Sequence, residues 1–91
     1  MYDVVSLAEL ISSLNSAVHG NHRNESLAYI NELRAALLEY AAQEEKRVPP
    51  EVDDAIRRLE SSVSLGIHQA KRDMRHLMIV LTEGDLRVSL L

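Results

Sequence analysis

The chain has no cysteine, phenylalanine or tryptophan, and its ninety-one residues hold only three glycines and two prolines. Each absence closes off a class of chemistry. Without cysteine there is no disulfide, thiolate zinc site, iron–sulfur cluster or cysteine nucleophile. With Tyr2, Tyr29 and Tyr40 as the whole aromatic inventory, stacking platforms for single-stranded nucleic acid or sugars are nearly lacking. Gly20, Gly66 and Gly84 are too scattered to build a phosphate-cradling loop or a dinucleotide fingerprint. The longest apolar run, Leu77 to Leu81, is far too short to span a bilayer. The opening MYDVVSLAEL has neither the basic region nor the apolar core of a secretory signal. A cytoplasmic protein, with no membrane partner, is the expectation, and the missing cysteines fit a reducing compartment.

What is present is aliphatic. Apolar residues make up 46% of the chain, enough Leu, Val, Ile and Ala to bury a core in one small domain without staples. The formal net charge of −4 is spread unevenly. Residues 1–60 carry eleven acids against six bases, and residues 61–91 carry three against four. That balance argues against general DNA binding by phosphate neutralisation, while leaving room for a local basic patch.

Hydrophobic spacing predicts helices throughout. Ser6-Leu7-Ala8-Glu9 reads as a capping box with Val5 and Leu10 as its staple, starting a helix over 6–19 whose stripe is Leu7, Leu10, Ile11, Leu14 and Val18. Gly20 stands where a left-handed residue would end it. After the turn 20–24, with Asn24 or a neighbour as cap, a second helix over 24–46 carries Leu27, Tyr29, Ile30, Leu33, Leu37, Leu38, Tyr40 and Ala41. That arc is wider than a helix packing on one neighbour needs, so partners are expected on two sides.

Val48-Pro49-Pro50 forces a break, and Pro50 suits the first turn of a third helix. From there Val52, Ile56, Leu59, Val63, Ile67, Ala70, Met74, Leu77 and Leu81 keep helical spacing, which predicts one helix over 50–82. At a rise of ~1.5 Å per residue it would run for roughly 48 Å, against about 30 Å for a compact globule of this size. A helix that outgrows its monomer points to association. The expected fold is therefore all-α, a three-helix antiparallel arrangement with a long third helix, forming a homodimeric bundle through helices two and three, with a short extended C-terminal tail at 85–91. Ser61, Ser62, Ser64 and Gly66 are the weak point of the third helix, and a break there would give a four-helix monomer instead. In the tail, Leu86, Val88 and Leu90 alternate with Arg87 and Ser89 in the period of a strand.

Catalytic chemistry finds no foothold: Asp53-Asp54 and Glu44-Glu45 are sequence neighbours that diverge on a helix, and no serine stands in a nucleophile motif. No metal or cofactor is expected. His19 and His22 have ligand-like spacing around a turn, but neither an HExxH, an ExxH nor an acidic calcium loop accompanies them.

Binding offers more. His68, Lys71, Arg72, Arg75 and His76 share the face opposite the apolar stripe, with Leu65 and Ile79 on the same far side. Such charges are most often a solvated helix face, yet aliphatic residues beside them suggest a covered surface. Lys71, Arg72, Arg75, Leu65, Ile79 and the tail residues Leu86, Val88 and Leu90 are the candidate partner-binding set. Arg34 lies inside the apolar arc of helix two; it either pairs internally or offers an anion pocket.

The expected function is a small non-enzymatic interaction module of the regulator, inhibitor, adaptor or chaperone type, like those of bacteria and phages, acting as a homodimer on another protein. The alternatives are a dimeric enzyme or binder of an anionic metabolite around Arg34, Arg57, Lys71 and Arg75, and a nucleic-acid binder through residues 68–76.

Overall fold

A computed structural model of the chain describes residues 3–66, 68–84 and 86–88. These form four helices: α1 (Val4–His19), α2 (Arg23–Gln43), α3 (Pro50–Leu65) and α4 (Gln69–Glu83). The connections are only a few residues long, so successive helices reverse direction. Each helix packs on two others, α1 on α2 and α4, and α3 on α2 and α4. The result is an up-down-up-down bundle. Its Cα radius of gyration, 12.1 Å, equals the value of about 12 Å for a close-packed chain of this length.

Local chemistry sets the helix ends. Asp3 caps α1, its Oδ1 accepting the backbone N–H of Ser6 at 2.7 Å, and this bond draws the Asp3 carboxyl below its ordinary pKa. The helix thus starts two residues earlier than the Ser6 capping box implies, because Asp3 supplies a stronger, charged acceptor. At its other end Asn21, with φ of 59°, takes the left-handed position expected of Gly20, whose φ is −84°; the His22 N–H then reaches Ala17 O at 2.9 Å. The second helix stops at Gln43 and not Lys46, since Glu45 turns left-handed (φ 56°) and the Lys46 N–H closes back onto Ala41 O at 2.7 Å. Asn24 lies inside α2, where no side chain caps the first turn; instead Ser26 Oγ donates to His22 O at 2.7 Å, which satisfies that buried hydroxyl. Pro49 caps α3 and Pro50 occupies its first turn, as the Val-Pro-Pro break implies.

The continuous helix over 50–82 is corrected. It divides at Gly66, whose φ of 67° places it in the left-handed region where an L side chain is strained, and α4 begins at Gln69. Ser62 Oγ donates to Asp73 Oδ2 across the resulting hairpin, so a serine that weakens a long helix holds two short ones together. The stripe itself survives the break. Val52, Ile56, Leu59, Val63, Met74, Leu77 and Leu81 are all buried, facing Leu7, Leu10, Ile11, Leu14 and Val18 of α1 and Ile30, Leu33 and Leu37 of α2. Burying a side chain of this size fully stabilises the fold by about 1.5–3 kcal/mol before entropy is set against it.

The extended tail expected at 85–91 is corrected over its described residues, 86–88. Gly84 turns the chain so tightly that a Cβ there would strike Val80 O. Beyond it the Val88 N–H bonds to Leu81 O at 2.8 Å, and Leu86 and Val88 sink into the bundle's own core. No strand occurs among the described residues. Much of what the sequence offers for a dimer is met within one chain. The third helix no longer overhangs, the longest dimension being 36 Å, and α1 and α3 pack on α2, leaving Leu38 of its apolar arc exposed.

Candidate functional site

Four seams run between neighbouring helices, and that between α1 and α4 is the least closely packed. It opens into a groove of about 660 Å³ lined by Asn15 and His19 from α1 and by Lys71, Arg72, Arg75, Met78, Ile79 and Thr82 from α4. The amino acids on each side explain the gap. The outward side of α1 is a run of small polar residues, Ser12, Asn15 and Ser16, which carry little surface to bury across the seam. On α4 the long side chains at 71, 72, 75 and 79 are exposed and do not fill the space.

The groove is graded along its length. Lys71, Arg72 and Arg75 stand in the first half of α4, beside His19; Met78, Ile79 and Thr82 follow in the second half. At ~1.5 Å per residue, Arg72 and Ile79 are separated by roughly 10 Å, two helical turns. Ile79 is 47% exposed, and Met78 is half-buried against the core. Among the described residues no carboxylate lines the groove. Lys71, Arg72 and Arg75 make no ion pair or hydrogen bond among the described residues. Two lining groups are held in place: His19 Nδ1, protonated, donates to Asn15 O at 2.9 Å, and Thr82 Oγ1 donates to Met78 O at 2.9 Å and Ile79 O at 3.2 Å. The Nε2 of His19 has no such partner among the described residues.

Of the partner-binding set read from the sequence, the fold brings Lys71, Arg72, Arg75 and Ile79 together in this groove. Leu65 is separate; it is 69% exposed at the last turn of α3, outside the groove's lining. Leu86 and Val88 are corrected from partner surface to core. Leu90 lies outside the described residues, as do Tyr2, Ile67 and Asp85. Asn15, His19, Met78 and Thr82 are lining residues that the sequence reading did not join to the site. Asn15 and His19 come from a helix about fifty residues away and are juxtaposed only when the bundle closes, while Met78 and Thr82 lie on α4 itself, three residues beyond Arg75 and Ile79, where no charge marks them.

Arg34 is not an open anion pocket. Its Nη1 and Nη2 each donate to a different carboxylate oxygen of Glu60 at 2.9 Å, joining α2 to α3 in a bidentate pair. With side chains 31% and 37% exposed, the two sit at the margin of the core. Hydrogen bonding to Arg34 holds the Glu60 carboxyl below its ordinary pKa, and the same bond raises that of Arg34. Arg57 pairs with Asp53 one turn away at 2.9 Å. The cations that an anionic metabolite would need are thus divided between two opposite seams, and those on α2 and α3 already hold carboxylates.

No protein-family model, curated protein or solved structure matches the chain. Among the described residues no helix is long and apolar enough to cross a membrane.

Proposed function

We propose that this protein is a small non-enzymatic interaction module, of the kind found in regulators, inhibitors, adaptors and chaperones, and that it binds another protein through the groove between α1 and α4. One observation carries the reading: in a chain of net charge −4, three cations and an exposed isoleucine share one concave surface where, among the described residues, the cations are unpaired and no acid is present. A cluster of like charge with no acid beside it leaves a local positive potential on an acidic chain, and a hydrated apolar side chain in the same concavity favours being covered. A ligand-binding enzyme is less well supported, since Arg34 and Arg57 are engaged by Glu60 and Asp53. Nucleic acid is less well supported because three cations amid an acidic surface give a weak electrostatic footprint.

The test uses the tagged chain and its Arg75→Glu, Ile79→Asp double variant as parallel baits in lysate of the native source. A protein retained by the first and lost from the second supports the proposal; retention of nothing that depends on the groove overturns it. Self-association is the second reading, favoured by Leu38, which is 66% exposed on α2 beside a depression lined by Arg34, Leu37, Val48, Pro50, Asp53 and Ile56. Light scattering decides it: a dimer that Leu38→Glu dissociates would support it, and a monomer at all concentrations would end it.

A further inference from the structure

Resting on the reading of the groove as a protein-binding site, we infer that its occupant is an acidic amphipathic helix of about three turns, with carboxylates grouped at one end of its contact face and aliphatic residues at the other. Length, charge and grading each contribute. From Lys71 to Thr82 the groove spans twelve residues of α4, a reach of roughly 16 Å that about three turns of an incoming helix would match. Its walls are themselves two helices, and a third helix laid in such a trough presents anchors at positions i, i+3, i+4 and i+7.

The charges specify the chemistry of the near end. Lys71, Arg72 and Arg75 stand within two turns of one another with His19 opposite, and no acidic side chain lines the site among the described residues. They complement two or three carboxylates spaced one turn apart. They also lie near the N-terminus of α4, whose backbone dipole adds to the preference for negative charge. The far end specifies something else. Around Met78 and Ile79 the lining is aliphatic with the Thr82 hydroxyl already bonded inward, so a leucine or isoleucine two turns from the carboxylates would be the complementary anchor. An extended nucleic-acid strand matches the cationic end but leaves Ile79 uncovered by anything apolar, with no Phe, Tyr or Trp among the described lining residues to stack a base.

The probe is a fluorescein-labelled, end-capped peptide of three helical turns with glutamates over its first turn and leucines on the same face of its last, titrated into the full-length chain by fluorescence anisotropy. Saturable binding is expected. It weakens about tenfold when the glutamates become glutamine, or when the protein carries Arg72→Glu and Arg75→Glu, and it weakens further as salt is raised. Ile79→Asp provides an independent variant. Because residues 72, 75 and 79 are exposed, circular dichroism of all these variants is expected to match the parent. Absence of binding, equal binding by the variants, or equal binding of a peptide with the same residues scrambled around the helix overturns the inference. So does groove-dependent binding of a labelled oligouridine probe in place of the peptide. If the peptide fails while the paired-bait experiment still returns a groove-dependent protein, the module reading stands and the acidic helix is wrong.

Discussion

Arg34 and Arg75 are the same residue type on the same kind of surface, the edge of a helix–helix seam, and their circumstances are opposite. Arg34 sits in the seam between α2 and α3, where Glu60 meets both of its terminal nitrogens. Arg75 sits in the seam between α1 and α4, where the facing residues are asparagine and histidine. The first seam is closed by its own salt bridge; the second is left open with its cations unanswered. A charge therefore acquires its role from what the opposing helix presents. In the α2–α3 seam the guanidinium belongs to the fold, and in the α1–α4 groove it is available to something outside the chain.

Five substitutions test that contrast, and the largest effect separates core from groove. Leu59, fully buried where α3 meets its neighbours, is expected to lose about 2–5 kcal/mol on truncation to alanine. Ile79→Ala is expected to change stability by no more than about 0.5 kcal/mol, since its side chain has little to lose from exposure. Chemical denaturation of the two variants measures both, and similar losses would mean that the groove is structural.

An intermediate effect belongs to the hinge. Gly66→Ala adds a Cβ that meets nothing within 4 Å, so its whole cost is the left-handed backbone, about 1 kcal/mol. An unchanged denaturation midpoint would show that the chain does not need that conformation there. Size-exclusion chromatography of the same variant at high concentration reads whether α3 and α4 then exchange between chains as one helix.

The smallest effect concerns the paired seam. Because Glu60 titrates below its ordinary range when folded, the pair contributes above that range and is lost as the pH falls through the lowered value. Glu60→Gln is expected to cost about 0.5 kcal/mol near neutral pH, given the partial exposure of both partners. In acid below both values, parent and variant are expected to melt alike. Arg75→Glu is expected to show no loss at either pH, and a comparable loss would place Arg75 in the structural class with Arg34.

Much of the fold was legible in the sequence because burial follows a period. The stripes of α1 and of residues 52–81 name the core almost residue by residue, with Val52, Leu59, Met74 and Leu81 all buried. What the period does not carry is where a helix turns back. Spacing of three and four residues continues in phase from Val63 across Gly66 to Ala70, so the pattern of a rod and that of a hairpin are the same string. The glycine and serines were the only local signal, and helix propensity alone decides little when packing can override it. Alternation misled in the tail for a related reason. Leu86 and Val88 alternate like a strand, but a chain that turns at Gly84 and again at Arg87, whose φ is 48°, buries the same two residues without one. Of the candidate site, the α4 half was legible as one helix face; the α1 half and the pairing of Arg34 depend on contacts between distant segments and leave no mark in either segment alone.

The turn at Gly66 separates two instructions that the stripe combines. The apolar pattern specifies which atoms are to leave water; it is indifferent to the address of their partners. The address is written in the handedness of one residue. With the left-handed turn, the face of α4 is delivered onto α3 of the same molecule, and a surface that would have required another molecule is consumed internally. What remains for the outside world is the side of α4 that the stripe does not use, so the hinge that closes the core is also what gives the groove its independence from it.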